Sequence, residues 1–412
     1  MKLPIPFIGN AERVRSAGRV LRFAAIPLVV ILLLMLLNSR VQLQVLSITD
    51  VRSGFDVLLS YKWVGLENNN GRGRPCDVYK GKWVPYEGEA YYTNSTCSLI
   101  IDQVNCFKFG RPDSGFLRWR WKPDGCELPR FDALRFLDLV RGKSMAFVGD
   151  SLGRNQMNSL QCLLSKARIH NLPNNRGKRP QHNFTVAEFW APFLVTTVDP
   201  DPSDHSASKR LGLRLDVPED SWASEVENFD FVILSAGIWL FHPFVFYEKG
   251  RVVGCNTDSC VGYKMANLGI WYAFRKAFRT TFETLLRKKG YKGVTFLRSY
   301  SPSHFENGPW NNGGTCTRTE PLTSIKEARS MPEQNEMNAY LAPIEEFRKA
   351  EKAMAGRGLT LKLMDTTDAM LLRADAHPNI YRNASVADCV HWCLPGPVDT
   401  WNEFLQYHLM SL

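Results

Sequence analysis

Residues 145–156 read MAFVGDSLGRNQ, and this order leaves the chain little freedom. Met145 to Val148 form an unbroken apolar run, the pattern of a strand covered on both faces. Gly149-Asp150-Ser151 then supplies a tight turn, and Asn155, Leu160, Leu163 and Leu164 continue with helical spacing. A buried strand that feeds directly into a helix is half of a parallel βα unit, so the segment predicts an α/β fold. Ser151 stands on the strand-to-helix corner with its oxygen exposed and the helix's free N–H groups beside it. A nucleophile with an oxyanion hole would be built there. The bare tripeptide decides nothing, because Gly-Asp-Ser is also an ordinary turn in which Asp150 caps the helix.

The second informative segment is DCVHWC, which carries Asp388 and His391. A serine hydroxyl attacks only when an imidazole takes its proton, and that imidazole needs an acceptor on its other nitrogen to fix the tautomer. Spaced three apart on one helical or turn-like stretch, Asp388 and His391 present their side chains on the same face. His391 alone would read equally as a hydrogen-bonded core residue. Strand-Gly-Asp-Ser-helix followed far downstream by Asp-x-x-His is the more specific pattern.

Further apolar strand candidates lie at Phe229 to Leu234, Val294 to Leu297 and Leu359 to Met364, with helical stretches at Asn155 to Lys166 and Tyr272 to Lys288. Alternating strands and helices predict a mostly parallel sheet with helices on both faces. Ligands of such sheets bind beyond the carboxyl ends of the strands, where Ser151 sits. The stretch from about 170 to 221, rich in proline, asparagine and charge, reads as a long surface excursion. Residues 76–140 hold Trp83, Tyr91, Tyr92, Trp119 and Trp121 among four cysteines, which predicts an irregular, disulfide-tied N-terminal subdomain.

Upstream, residues 23–37 form the uncharged run FAAIPLVVILLLMLL, preceded by Lys2, Arg13, Arg15, Arg19 and Arg22 against the single acid Glu12. That asymmetry predicts a cytoplasmic tail at 1–22 and a transmembrane signal anchor at 23–37. A cleaved signal peptide is the competing reading, disfavoured because no Ala-x-Ala site follows. Residues 38–75 read as a polar stem that cannot pack a core, leaving 76–412 as the lumenal catalytic domain. All ten cysteines lie at or beyond Cys76, as expected for disulfides in an oxidising lumen. Cys255 and Cys260 are close enough to bridge, and Cys389 and Cys393 would brace His391 if each paired with a distant segment. Metal binding by these two cysteines around the histidine is the weaker alternative, so no metal is expected. Sequons at Asn94, Asn183 and Asn383 fit passage through the secretory pathway. The net charge of +10 is spread too evenly to argue for nucleic acid.

CDVYKGKWVP, YYTNSTC, FVGDSLGRNQ, SPSHFENGPWNNGGTC and DCVHWCLPGPVDTWN, in that chain order, resemble the plant trichome birefringence-like proteins over about residues 76 to 412. The resemblance implies an SGNH/GDSL-esterase-like fold and a Golgi polysaccharide O-acetyltransferase, single-pass type II. Ser151 would be the nucleophile, His391 the base and Asp388 the acid, acting through an acetyl-serine. It implies a cell-wall polysaccharide acceptor, with xyloglucan or mannan favoured over xylan. It also implies an acetyl donor, acetyl-CoA or another carrier, with no cofactor held by the protein. An acetylesterase and a non-catalytic glycan-binding protein remain the other readings. One departure stands out: Ser235-Ala236-Gly237-Ile238-Trp239 replaces an Asn-Thr-Gly type segment, so no oxyanion asparagine carries over there.

Several neighbours are candidates for the oxyanion or substrate. Gly149 and Asp150 flank the nucleophile. Asn155, one turn after Ser151, would either donate to the oxyanion or make a structural hydrogen bond. Arg154 would bind an acidic group or, more simply, pair with a carboxylate of the fold. Gly237 would offer a close backbone N–H or simply end its strand. His304 reads as structural, or else as a second base or a substrate contact. Among Trp310, Trp392 and Trp401, Trp392 beside the base is the preferred sugar-stacking residue.

Overall fold

The computed structural model describes residues 76–170, 183–199, 211–256, 260, 265–328, 337–384 and 386–412. The tail, the apolar run at 23–37 and the stem lie outside them. Among the described residues no helix is long and apolar enough to cross a membrane.

The strand–turn–helix read from residues 145–156 forms as expected, with β3 (Ser144–Gly149) running into α2 (Ser151–His170). Before it come the antiparallel pair β1 (Gly81–Pro85) and β2 (Trp119–Pro123), and α1 (Ala133–Leu139), which Asp132 caps by accepting from the N–H groups of Leu134 and Arg135. After it come β4 (Thr185–Trp190), β5 (Val195–Val198), β6 (Leu211–Pro218) and β7 (Phe231–Ser235). The chain continues through β8 (Phe244–Glu248), β9 (Arg251–Cys255), α3 (Gly269–Arg287) and β10 (Val294–Arg298). It finishes with α4 (Met337–Ala355), β11 (Thr360–Met364) and α5 (Asp399–Leu409).

The main sheet has five parallel strands in the order β4-β3-β7-β10-β11. Strand order therefore reverses between β3 and β7, and a ligand site is expected in the crevice at their carboxyl ends. Alternation within each strand builds two cores. Met145, Phe147, Phe231, Ile233 and Phe296 face a cluster shared with α2, α5 and the N-terminal region. Ala146, Val148, Val232, Leu234 and Leu297 face the other, with α3 and α4. α3 joins that core along a stripe of Ala273, Phe274, Ala277, Phe278, Phe282 and Leu285, and each buried phenylalanine contributes roughly 1.5 to 3 kcal/mol.

The stretch from 170 to 221 is more than a surface excursion. β4 closes one edge of the main sheet, and β5 and β6 join β8 and β9 in a second sheet ordered β5-β6-β8-β9. The polar composition misled because β4 is half-exposed along its length and only part of β6 is buried.

Five disulfides tie the molecule. Cys76–Cys126 closes the N-terminal region on itself, Cys97–Cys162 ties it to α2, and Cys106–Cys393 ties it to the segment after His391. Cys255–Cys260 closes the short loop expected of it.

Candidate active site

β3 ends where two strands nearly touch. The N–H of Asp150 donates to Ser235 O of β7 at 2.9 Å, and a Cβ on Gly149 would lie 1.8 Å from that same oxygen. With φ at +148°, Gly149 also adopts a backbone that side chains disfavour. Only glycine lets β3 turn so sharply into α2, and the turn leaves Ser151 as the first residue of the helix, facing the cleft.

The partner segment is a tight turn rather than a helix. Asp388 Oδ1 accepts from the N–H groups of Val390 at 3.1 Å and His391 at 3.0 Å, so the acid folds its own turn. Its Oδ2 accepts from His391 Nδ1 at 2.8 Å and from Arg382 Nη1 at 2.6 Å. Burial alone would raise the Asp388 pKa. The His391 imidazole and backbone N–H, with Arg382, outweigh it and hold the carboxyl well below the usual carboxylate range. An ionised carboxylate only accepts, so the proton sits on Nδ1 and His391 Nε2 is left to accept from Ser151 Oγ at 2.7 Å. Ser151, His391 and Asp388 thus form one continuous hydrogen-bonded chain.

The segment bearing His391 is held from several sides. Cys389 is bridged to Cys316 and Cys393 to Cys106, which occupies both thiols and leaves neither to ligate a metal. Asn155 pairs reciprocally with the backbone of Trp392, accepting from its N–H at 2.9 Å and donating to its carbonyl at 3.3 Å. The amide of Asn155 is buried and committed to the loop, which favours the structural role over the oxyanion. Trp392 is fully buried, its indole N–H on Ser301 Oγ and its ring 4.0 Å from that of His377, so it offers no face to a sugar. The preference for Trp392 is therefore corrected. Trp401 is buried as well, whereas Trp310 is 60% exposed and lines the cleft.

The remaining candidates separate cleanly. The buried Asp150 carboxylate accepts from the N–H of Leu152, acting as a helix cap. Its pKa is raised by burial, against the opposing charge of Arg298. Arg298, itself buried, donates to Ser235 Oγ and lies over the Trp401 ring; burial lowers its pKa to about 10, against the pull of Asp150. Arg154 pairs with Glu188 at 2.7 Å and covers Trp190, as the simpler reading had it. Gly237 begins a short turn at φ +155°, where a Cβ would press on Tyr300 and Phe274 at 3.2 and 3.3 Å. His304 is buried, with Nε2–H donating to Leu371 O and Nδ1 lying 2.7 Å from His377 Nε2; burial lowers its pKa to about 4, which suits a neutral structural ring. Asn94, Asn183 and Asn383 are all exposed.

Three residues near the site were not among the sequence candidates. Gln103 Nε2 lies 3.1 Å from His391 Nδ1 and 3.3 Å from Nε2, against a ring whose in-plane positions are already taken by Asp388 and Ser151. His377 Nδ1 donates to the His391 carbonyl at 2.7 Å. Arg382 neutralises the acid. Only Arg382, six residues before Asp388, was near enough in sequence to be inferred.

The cleft above Ser151 has a volume of about 760 Å³ and is walled by Trp239, Phe241, His242, Phe305 and Trp310. Residues 128–408 match the family model described as the GDSL/SGNH-like acyl-esterase family found in Pmr5 and Cas1p, and residues 74–127 match the PMR5 N-terminal domain. The chain belongs to this acyl-esterase family. It is 45% identical to protein trichome birefringence-like 19 of Arabidopsis thaliana, over 80% of each chain. It is 40% identical to xyloglucan O-acetyltransferase 1 of the same plant, over 80% of this chain and 79% of the relative. Xyloglucan O-acetyltransferase 4 of Populus trichocarpa is 41% identical over 80% of each. The boundary between the two matches falls at residue 127, after β2, yet the hydrophobic core runs across it.

Proposed function

We propose that this acyl-esterase family member is a polysaccharide O-acetyltransferase that acetylates a plant cell-wall glycan, with xyloglucan the first candidate acceptor and mannan or xylan next. The observation that carries the reading is the 2.7 Å contact from Ser151 Oγ to a His391 whose tautomer is fixed by Asp388. The xyloglucan acetyltransferases among its relatives support the acceptor class.

In the first half-reaction His391 Nε2 takes the Ser151 proton as Oγ attacks the donor's acetyl carbonyl. The resulting oxyanion forms beside the positive N-terminal end of α2, and the proton passes to the departing carrier. In the second, a sugar hydroxyl enters, His391 takes its proton, the acetyl moves from Ser151 to that oxygen, and His391 returns the proton to the departing Ser151 Oγ. Asp388 stabilises the imidazolium in both. The donor is acetyl-CoA or another acetyl carrier.

The described domain would work in the Golgi lumen, behind a single anchor at residues 23–37. Its five disulfides and three exposed sequon asparagines support an oxidising secretory compartment.

The test is mass spectrometry of the purified full chain with acetyl-CoA or an activated acetyl ester and xyloglucan, mannan or xylan oligosaccharides, beside Ser151→Ala. One added acetyl on one oligosaccharide class, lost in Ser151→Ala, is the expected result. Release of free acetate without transfer would make water the acceptor and the protein an esterase. Absence of any Ser151-dependent turnover would overturn catalysis altogether.

A further inference from the structure

Aromatic rings follow one wall of the cleft. The Trp239 ring is stacked on that of His242, with centroids 5.1 Å apart and planes 14° apart, and the exposed His242 ring lies 6.3 Å from that of Trp310. All three line the cleft that holds Ser151 and His391. Behind this wall, Trp190 meets Trp239 edge-on at 5.9 Å, and Arg154 covers Trp190 while paired with Glu188. The Arg154 pair, offered by the sequence as a plain structural contact, therefore buttresses the wall from α2.

Trp310 is presented by a loop that is tightly made. Glu306 and Thr315 exchange backbone hydrogen bonds at 2.6 and 2.8 Å across its base. Gly308 and Gly313 take positive φ, and a Cβ on Gly314 would lie 2.3 Å from Gly308 O. Cys316, at the end of the loop, is bridged to Cys389, the neighbour of Asp388. A tryptophan 60% exposed on so constrained a loop has an apolar face fixed in place relative to the nucleophile. The charged side chains lining the cleft, Arg382 and Asp388, neutralise each other across 2.6 Å.

We propose that Trp310 and His242, the latter backed by Trp239, form the acceptor subsite, a stacking wall for the sugars of a neutral β-linked glycan whose reacting hydroxyl points at Ser151. This rests on the acetyl-transfer reading and specifies where its acceptor lies. The apolar C–H faces of such a chain suit aromatic rings, and a wall whose charges cancel suits sugars without carboxylates.

The test measures binding rather than turnover. Full chain carrying Ser151→Ala is titrated calorimetrically with a xyloglucan oligosaccharide, with and without a second change at Trp310. Trp310→Ala is expected to weaken binding about tenfold, while Trp310→Phe, which keeps a ring, stays within about threefold. Thermal midpoints should match, because the side chain is largely in solvent. A polygalacturonate fragment is expected to bind at least about tenfold more weakly than the neutral one. Unchanged affinity in Trp310→Ala, equal or tighter binding of the acidic fragment, or no glycan binding at all would overturn the subsite. The functional reading fails separately: Trp310-dependent binding without Ser151-dependent transfer would leave the subsite standing and remove the transferase.

Discussion

Four donors converge on Asp388, and its two oxygens divide the work. Oδ1 holds the turn through two backbone N–H groups, while Oδ2 faces the imidazole and Arg382. An amide in its place could keep the acceptor at Oδ1, but its NH₂ would meet the Nδ1–H of His391 and force the other tautomer. Asp388→Asn is therefore expected to lower kcat on the order of 10⁴-fold while the fold persists, as a matched circular dichroism spectrum would check. Gln103 acts differently, touching the ring without using its in-plane positions. Gln103→Ala should lower kcat about tenfold and leave the acceptor KM in place, because it loosens the base rather than the glycan site. A change confined to KM would sink that role.

Among the elements, α5 carries the largest unexplained polarity. Asp399 and Glu403 project from it into the core, accepting from Tyr92 and Ser159 and from Tyr91 respectively. Burial raises Asp399 to about 6 and Glu403 to about 7, against the hydrogen bonds and, at Glu403, Arg130. A raised folded pKa contributes stability that is complete below the unfolded value and is lost as pH rises through the folded one. Glu403→Gln, which imitates the protonated acid, should therefore gain on the parent protein between pH 5 and pH 8, by on the order of 3 kcal/mol. Chemical denaturation of both proteins at the two pH values reads the gap, and a gap that ignores pH would mean Glu403 is charged throughout. The same elements mark what the sequence could disclose. β3, its turn and α2 were legible because their signals are contiguous, and Asp388 with His391 because they share one turn. Gln103 and His377 were not, since they reach His391 across 288 and 14 positions with no periodic pattern between. β4 was hidden by its half-exposed edge position, and Trp392 misled because proximity to a base in sequence says nothing about burial.

For the whole molecule, the proposed Golgi orientation makes a separate prediction. Full chain expressed in plant cells should stay with membranes after carbonate extraction, shift on glycosidase treatment, and keep residues 76–412 protected from protease outside sealed vesicles. Digestion of that region in intact vesicles would reverse the orientation. Protease also exposes a property of the bridges themselves. Between Cys162 and Cys316 the backbone can be cut outside the Cys255–Cys260 loop, and the two halves then share one covalent link, Cys106–Cys393. That link joins the half bearing the serine to the half bearing the histidine. A clipped protein would run as one band without reductant and as two with it, and as long as the band is single Ser151 and His391 remain parts of one molecule.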